Sequence, residues 1–230
     1  MALPSTTAFE ALHRYLDEQR TFVLDMDGTL LDLAFDDFLW GQALPAALAA
    51  REGRPLETVA DAVKRELDTV YGTLAWYSFD HWQEVFDFDV AALERRHADR
   101  IRFLPGARGF LEDLSRRGIR AILATNAHPA SLALKRERTG LDRYLAACTS
   151  SHEFGHPKES EAFWHAFAHA HALDPAGAVL IDDNERVLDA AHKSGFATAF
   201  CVARPALGGA HRSASRFPLL GCFSQFYGAA

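Results

Sequence analysis

Asp25 and Asp27 stand two residues apart where the apolar run Thr21-Phe22-Val23-Leu24 stops, and Gly28 follows them. Such a run reads as a buried parallel strand, and open α/β sheets carry their reactive groups at the carboxyl ends of strands. Two carboxylates there repel one another unless a cation or a shared proton compensates them. Taken alone, the pair fits a solvated acidic turn equally well, because Asp and Gly are common turn residues. Three later groups fall at the ends of other predicted strands or in the loops beyond them: Thr125-Asn126, Lys158 and Asp182-Asp183. Singly, they fit a helix cap, a surface lysine and an acidic first turn. Together they match phosphoryl transfer. Asp25 is placed to attack phosphorus and form an aspartyl-phosphate. Asp27 is placed to protonate the leaving alkoxide and then to take a proton from the attacking water. Thr125, Asn126 and Lys158 are the groups expected to hold the phosphate and stabilise its charge. Mg²⁺ suits the carboxylates, with Asp183 as a direct ligand and Asp182 beside it.

The elements that must position these groups are legible in the hydrophobic period. Residues 5–20 form an amphipathic helical pattern, with Ser5 as a candidate N-cap and Phe9, Leu12, Tyr15 and Leu16 on one face. Between about 33 and 100 only helical spacing occurs, as in Val59, Val63, Leu67, Val70 and Tyr71 and in the stretch 80–99. Beyond it, helices alternate with strands predicted at 119–124, 144–148, 178–181 and 197–202. That alternation predicts a Rossmann-like parallel sheet covered by helices on both faces. A strand-helix-strand unit needs only about 30 residues. The much longer interval between the first two strands therefore predicts an all-helical cap, residues 33–100, inserted into a core of 1–32 and 101–230. Such a lid can exclude water and select substrate. The tail from Pro205 reads as irregular and ends in aromatics able to dock.

Composition removes other classes. With 31 acidic and 24 basic side chains the formal charge is -7, which gives no footprint for a nucleic-acid partner. No apolar run approaches the ~20 residues of a membrane span, and the N-terminal stretch lacks the apolar centre of a signal peptide. Cys148, Cys201 and Cys222 are an odd number without CxxC spacing and read as reduced, mostly buried thiols. The expectation is a cytoplasmic enzyme acting on a small phosphate ester.

In order, Asp25-Met26-Asp27-Gly28-Thr29, Thr125-Asn126, Lys158 and Asp182-Asp183 resemble the four motifs of the haloacid dehalogenase superfamily. The resemblance implies a Rossmann-like core with a helical cap and Mg²⁺-dependent aspartyl-phosphate chemistry. It further implies a metal held by Asp25, the Asp27 backbone carbonyl and Asp183. A narrower likeness runs through Leu30 to Asp36, Ala127-His128-Pro129, Thr139-Gly140-Leu141-Asp142, Phe154 to Glu159 and Asn184. These stretches are similar to bacterial 5′-nucleotidases of GMP and IMP and imply a purine nucleotide as substrate. The alternatives are a phosphatase of sugar phosphates or other small metabolites and, from another class, a non-catalytic ligand-binding module.

His152-Glu153-Phe154-Gly155-His156 spells a zinc-protease pattern. Gly155 and Pro157 argue against the continuous helix that pattern needs, so the segment is expected to present Lys158 instead. Trp40, Trp76, Tyr77 and Trp82 are expected mainly to pack the cap, with at most one facing a base.

Overall fold

The computed structural model describes residues 5–224, with side chains from Ala8 onward. Six parallel strands, β1 (Phe22–Leu24), β2 (Ala121–Thr125), β3 (Ala147–Ser150), β4 (Val179–Asp182), β5 (Thr198–Val202) and β6 (Leu219–Leu220), lie in the order β3-β2-β1-β4-β5-β6. Three-residue β1 is central and pairs with both β2 and β4: Leu24 stands between Leu123 and Ile181. Alternate side chains of each strand enter opposite layers. Phe22, Leu24, Leu123, Ile181 and Phe200 join one apolar cluster with α1 (Ser5–Asp17) and α7 (Ala107–Arg116). Val23, Ile122, Leu180 and Cys201 join the other, with α9 (Glu161–Ala170) and α10 (Glu185–Lys193). Burial on both faces explains why these strands are continuous apolar runs in the sequence.

From Ala34 to Arg100 the chain forms helices alone: α2 (Ala34–Phe38), a π turn (Leu39–Ala43), α3 (Leu44–Glu52), α4 (Leu56–Thr69), α5 (Phe79–Phe86) and α6 (Val90–Arg96), with short 3₁₀ turns at Leu74–Tyr77 and Ala98–Arg100. They close around an apolar cluster of their own, which includes Leu39, Leu44, Val63, Trp82 and Leu93. The strands of chain entering and leaving this segment run side by side. The Leu104 amide donates to the Leu30 carbonyl at 2.9 Å, and the Asp32 amide to the Arg102 carbonyl at 3.0 Å. Buried Asp32 fastens the junction, meeting the Arg102 guanidinium at 2.8 Å and accepting from the amides of Ala34 and Leu207.

Several details depart from expectation. The third strand is Ala147–Ser150 instead of 144–148, because Leu141–Tyr144 coils into a 3₁₀ turn after Gly140 ends α8 (Pro129–Thr139). The tail is not wholly irregular: Leu219 and Leu220 pair with Cys201 and Val202 as β6. Two residues are too few to register as a period. Phe223 docks, buried, with its ring stacked on Phe110 at 4.7 Å. Gly106, at φ +80°, makes room for that return, since a Cβ there would overlap the Ser224 amide nitrogen. Of the three free cysteines only Cys201 is fully buried. The Ser5 cap and the aromatics Phe226 and Tyr227 fall outside the described side chains. Among the described residues, no helix is long and apolar enough to cross a membrane.

Candidate active site

Strand order gathers the acidic groups. Because β1 lies between β2 and β4, Asp25, Thr125 and Asp182 emerge at adjacent strand ends on one edge. The Asp25 amide donates to the Ile181 carbonyl at 3.0 Å, which fixes the last residue of regular pairing. Gly28 then turns back at φ +86°, a conformation glycine adopts without strain. A Cβ at Gly28 would lie 2.7 Å from Cγ of Asp183, so this glycine is also what admits the Asp183 carboxylate.

Lys158, only 2% exposed, is the cation at the centre. Its Nζ lies 2.6 Å from Asp25 Oδ1 and 2.7 Å from Asp182 Oδ2. The loop that presents it is anchored on both sides. The Lys158 amide donates to Asn126 Oδ1 at 2.9 Å, and its carbonyl accepts from the Trp164 indole at 2.8 Å. Upstream, Ser151–Phe154 is a single 3₁₀ turn ended by Gly155, and Glu153 closes a capping box on the Ser150 amide. His152 and His156 therefore do not share a helix face.

Asp25, Asp182 and Asp183 bring carboxylate oxygens within 4.8 Å of one another, the one such acidic group among the described residues and a set that could hold a metal ion. Burial pushes the Asp25 carboxyl up to about 6, with Lys158 opposing and Asp182 adding to the rise. Asp183 is pushed well above the usual carboxylate range by burial and then by Asp182 and Asp25. Lys158 stays protonated: burial lowers its affinity for a proton, but Asp182 and Asp25 more than reverse that. One ammonium does not balance three carboxylates, and buried Asp25 Oδ2 has no hydrogen-bond partner. A hard divalent cation fits both facts, since it takes oxygen ligands and neutralises the excess charge.

The remaining predicted residues have separate attachments. Thr125 accepts from the Ala127 amide at 3.0 Å. Asn126 donates to Glu159 Oε2 at 2.9 Å. The Asp27 carboxylate has a different cation as its partner: its Oδ1 lies 2.8 Å from Lys135 Nζ. The Asp27 side chain is therefore outside the three-carboxylate set and is held by another cation, while the metal contact expected of Asp27 is through its backbone carbonyl.

A cavity of 760 Å³ connects this edge to the helical segment. Asp25, Asp27, Thr125, Asn126, Lys158, Asp182 and Asp183 all line it. Its lining also includes Trp40, Trp76, Tyr77 and Phe79, so three of the four aromatics singled out in the sequence border the cavity. Trp82 does not; it is fully buried, with its indole donating to the Trp76 carbonyl at 2.9 Å.

Four lining or adjoining groups were given no individual role by the sequence. Glu159 accepts from Tyr77, Asn126 and Asn184. Arg212 reaches the site from the tail and donates to the Asp183 carbonyl at 2.8 Å. Asp36 and Lys135 pair at 2.9 Å behind Asp27. Lys135 sits in a Lys-Arg-Glu-Arg run that resembles a solvated helix face, and only its distance from Asp27 in the fold reveals it.

A model of the haloacid dehalogenase-like hydrolase family matches residues 19–195. The chain belongs to this family. As a haloacid dehalogenase-like hydrolase it is 40% identical over 200 residues to the GMP/IMP nucleotidase YrfG of Escherichia coli (strain K12), spanning 87% of this chain and 90% of that one. The GMP/IMP nucleotidase YrfG of Shigella flexneri matches with the same identity and coverage. Among solved structures, a HAD phosphatase from Thermococcus onnurineus superposes with a TM-score of 0.75 at 18% identity, covering 90% of this chain and 95% of that one. A predicted phosphoglycolate phosphatase from Haemophilus somnus 129PT gives 0.66 at 16% identity, covering 90% and 96%. These two similarities establish the family's fold for this hydrolase and nothing finer.

Proposed function

We propose that this hydrolase is a Mg²⁺-dependent phosphatase of purine nucleoside 5′-monophosphates, releasing nucleoside and inorganic phosphate. One observation carries the reading: a single cavity joins the Asp25 carboxylate to an aromatic wall of Trp40, Trp76 and Tyr77. The floor suits a phosphate and the wall suits a flat heterocycle. The nucleotidase activity named for the relatives at 40% identity agrees with both.

In this reading residues 33–100 are a cap on a core of 1–32 and 101–230. Asp25 Oδ2, the oxygen not taken by Lys158, attacks phosphorus in line with the leaving 5′-oxygen. The phosphorus–oxygen bond to the nucleoside breaks as Asp27 gives its proton to that oxygen. Asp27 then takes a proton from water, which attacks the aspartyl-phosphate and regenerates Asp25. Lys158 and Thr125 hold the equatorial oxygens, and Asn126 orients the loop that carries Lys158. Asp25, Asp183 and the Asp27 carbonyl would hold Mg²⁺, with Asp182 beside them, and the ion would supply charge neutralisation at the phosphate.

Phosphate release from a panel of GMP, IMP, AMP, pyrimidine monophosphates and sugar phosphates tests the proposal. GMP and IMP should give the highest kcat/KM. A clear win for sugar phosphates would move the assignment to a metabolite phosphatase with the same core chemistry.

A further inference from the structure

Lys135 is the least expected charge in the protein. It is 1% exposed, yet it sits in α8, behind the catalytic edge. Its Nζ lies 2.8 Å from Asp27 Oδ1 and 2.9 and 3.0 Å from the two oxygens of Asp36. The Phe35 ring closes another side, with its centroid 5.6 Å away. Glu94, also buried, adds its charge to the group and accepts from Ser131 Oγ one turn along α8. The anions come from three places: Asp27 from the turn after β1, Asp36 from α2, and Glu94 from α6.

We propose that Lys135 is a positioning residue for Asp27, holding its carboxylate toward the leaving oxygen and tying that position to the seating of α2 and α6. The proposal rests on reading Asp27 as the acid and base of the reaction. Burying an ammonium merely to join helices is a poor route to stability, because well-packed apolar side chains do as well or better. A carboxylate on a short side chain beside a glycine turn, by contrast, has several rotamers open to it unless something holds one. Lys135 is the only cation placed by the structure within contact distance of Asp27 among the described residues. Asp36 occupies the other side of the same ammonium, so movement of α2 shifts the group that holds Asp27.

The test compares leaving groups. An alkyl ester such as a nucleoside monophosphate needs a proton on its departing oxygen, whereas p-nitrophenyl phosphate leaves well without one. Lys135→Met should lower kcat on the nucleotide about ten- to hundredfold, with p-nitrophenyl phosphate held within about threefold. Added to Asp27→Asn, it should cause no further selective loss, because both changes act through one group. A role in folding alone would depress both substrates together, and an additive double variant would separate Lys135 from Asp27; either result overturns the proposal. If Asp27→Asn is itself unselective, the acid assignment fails and the proposal falls with it. A selective Asp27→Asn beside an unselective Lys135→Met rejects the proposal and leaves the acid standing. Should Lys135→Met not fold, Lys135→Met with Asp36→Asn removes the ammonium and one of its carboxylates together and carries the same comparison.

Discussion

Tyr77 donates its hydroxyl to Glu159 Oε1 at 2.7 Å, so the helical segment is hydrogen-bonded to the residue that follows Lys158. Glu159 also accepts from Asn126 and Asn184, which joins three loops of the sheet edge to that one contact. Burial and the facing Glu159 raise the phenol well above its usual range, which keeps it a donor. Tyr77→Phe should cost about 2 kcal/mol, the worth of a hydrogen bond to a charged group. Urea midpoints of wild type and Tyr77→Phe measure it. In a Glu159→Gln background the loss should shrink, and an unchanged loss would assign it to packing of the ring.

Asp25→Asn should abolish phosphate release while the protein stays folded. Lys158 keeps its Asp182 partner in that variant, so no buried cation is stranded. Removal of the metal with EDTA should likewise stop turnover, and Mg²⁺ should restore it. Appreciable turnover by Asp25→Asn would remove Asp25 as nucleophile.

Gly28→Ala places a methyl group 2.7 Å from Asp183 Cγ at a backbone φ of +86°. Left-handed backbone costs a non-glycine residue about 1 kcal/mol, and the overlap must be relieved by moving Asp183. We expect a loss of ~1–3 kcal/mol in thermal stability and a weaker response of phosphate release to Mg²⁺. An unaltered Mg²⁺ dependence would show that Asp183 tolerates displacement.

Burial, with Asp27 adding to it and Lys135 opposing, pushes the Asp36 carboxyl up from 3.8 to about 6. The folded protein thus keeps this proton where the unfolded chain has released it. Stability from this group is fully present below the unfolded value and falls as pH rises through the folded one. Asp36→Asn cannot ionise and lacks that decline. Between about pH 4 and pH 7, wild type should therefore lose up to ~3 kcal/mol relative to Asp36→Asn. Denaturant titrations of both proteins at the two pH values measure the difference, and parallel curves would refute the assignment.

Phe223→Ala removes a buried ring stacked on Phe110, at a site remote from the cavity. A loss of about 3 kcal/mol is expected, with kcat/KM unchanged at temperatures where the variant is folded. A loss of activity without a loss of stability would connect the tail to the reaction.

The parallel sheet was legible because its strands are buried on both faces and stand between helical periods. The runs ending at Leu24, Ala124 and Ile181 are continuous, and each is followed by a polar group. The later strand at Ala147–Ser150 was misplaced, since Tyr144 and Leu145 are as apolar as the strand itself; Tyr144 ends a 3₁₀ turn, and Leu145 caps it ahead of the paired residues. Among site groups, Asp25, Lys158 and Asp183 announce themselves by position relative to strand ends. Lys135, Tyr77 and Arg212 do not, because their partners are set by tertiary packing. Lys135 meets Asp27 across a helix–turn contact that no local pattern encodes. Arg212 depends on the path of a tail held by a two-residue strand.

The central place of β1 also fixes when the site can form. Phe22–Leu24 is synthesised well before its neighbours, which begin at Ala121 and Val179, so each of its hydrogen-bonded edges stays empty until the matching later strand has been made. Loop closure over such separations is slow, and an unpaired apolar strand is hazardous while it waits. With only three residues, β1 offers a nascent neighbour little edge to pair with. The segment that carries Asp25 is thus made before both of its sheet partners and completed only with the later of them.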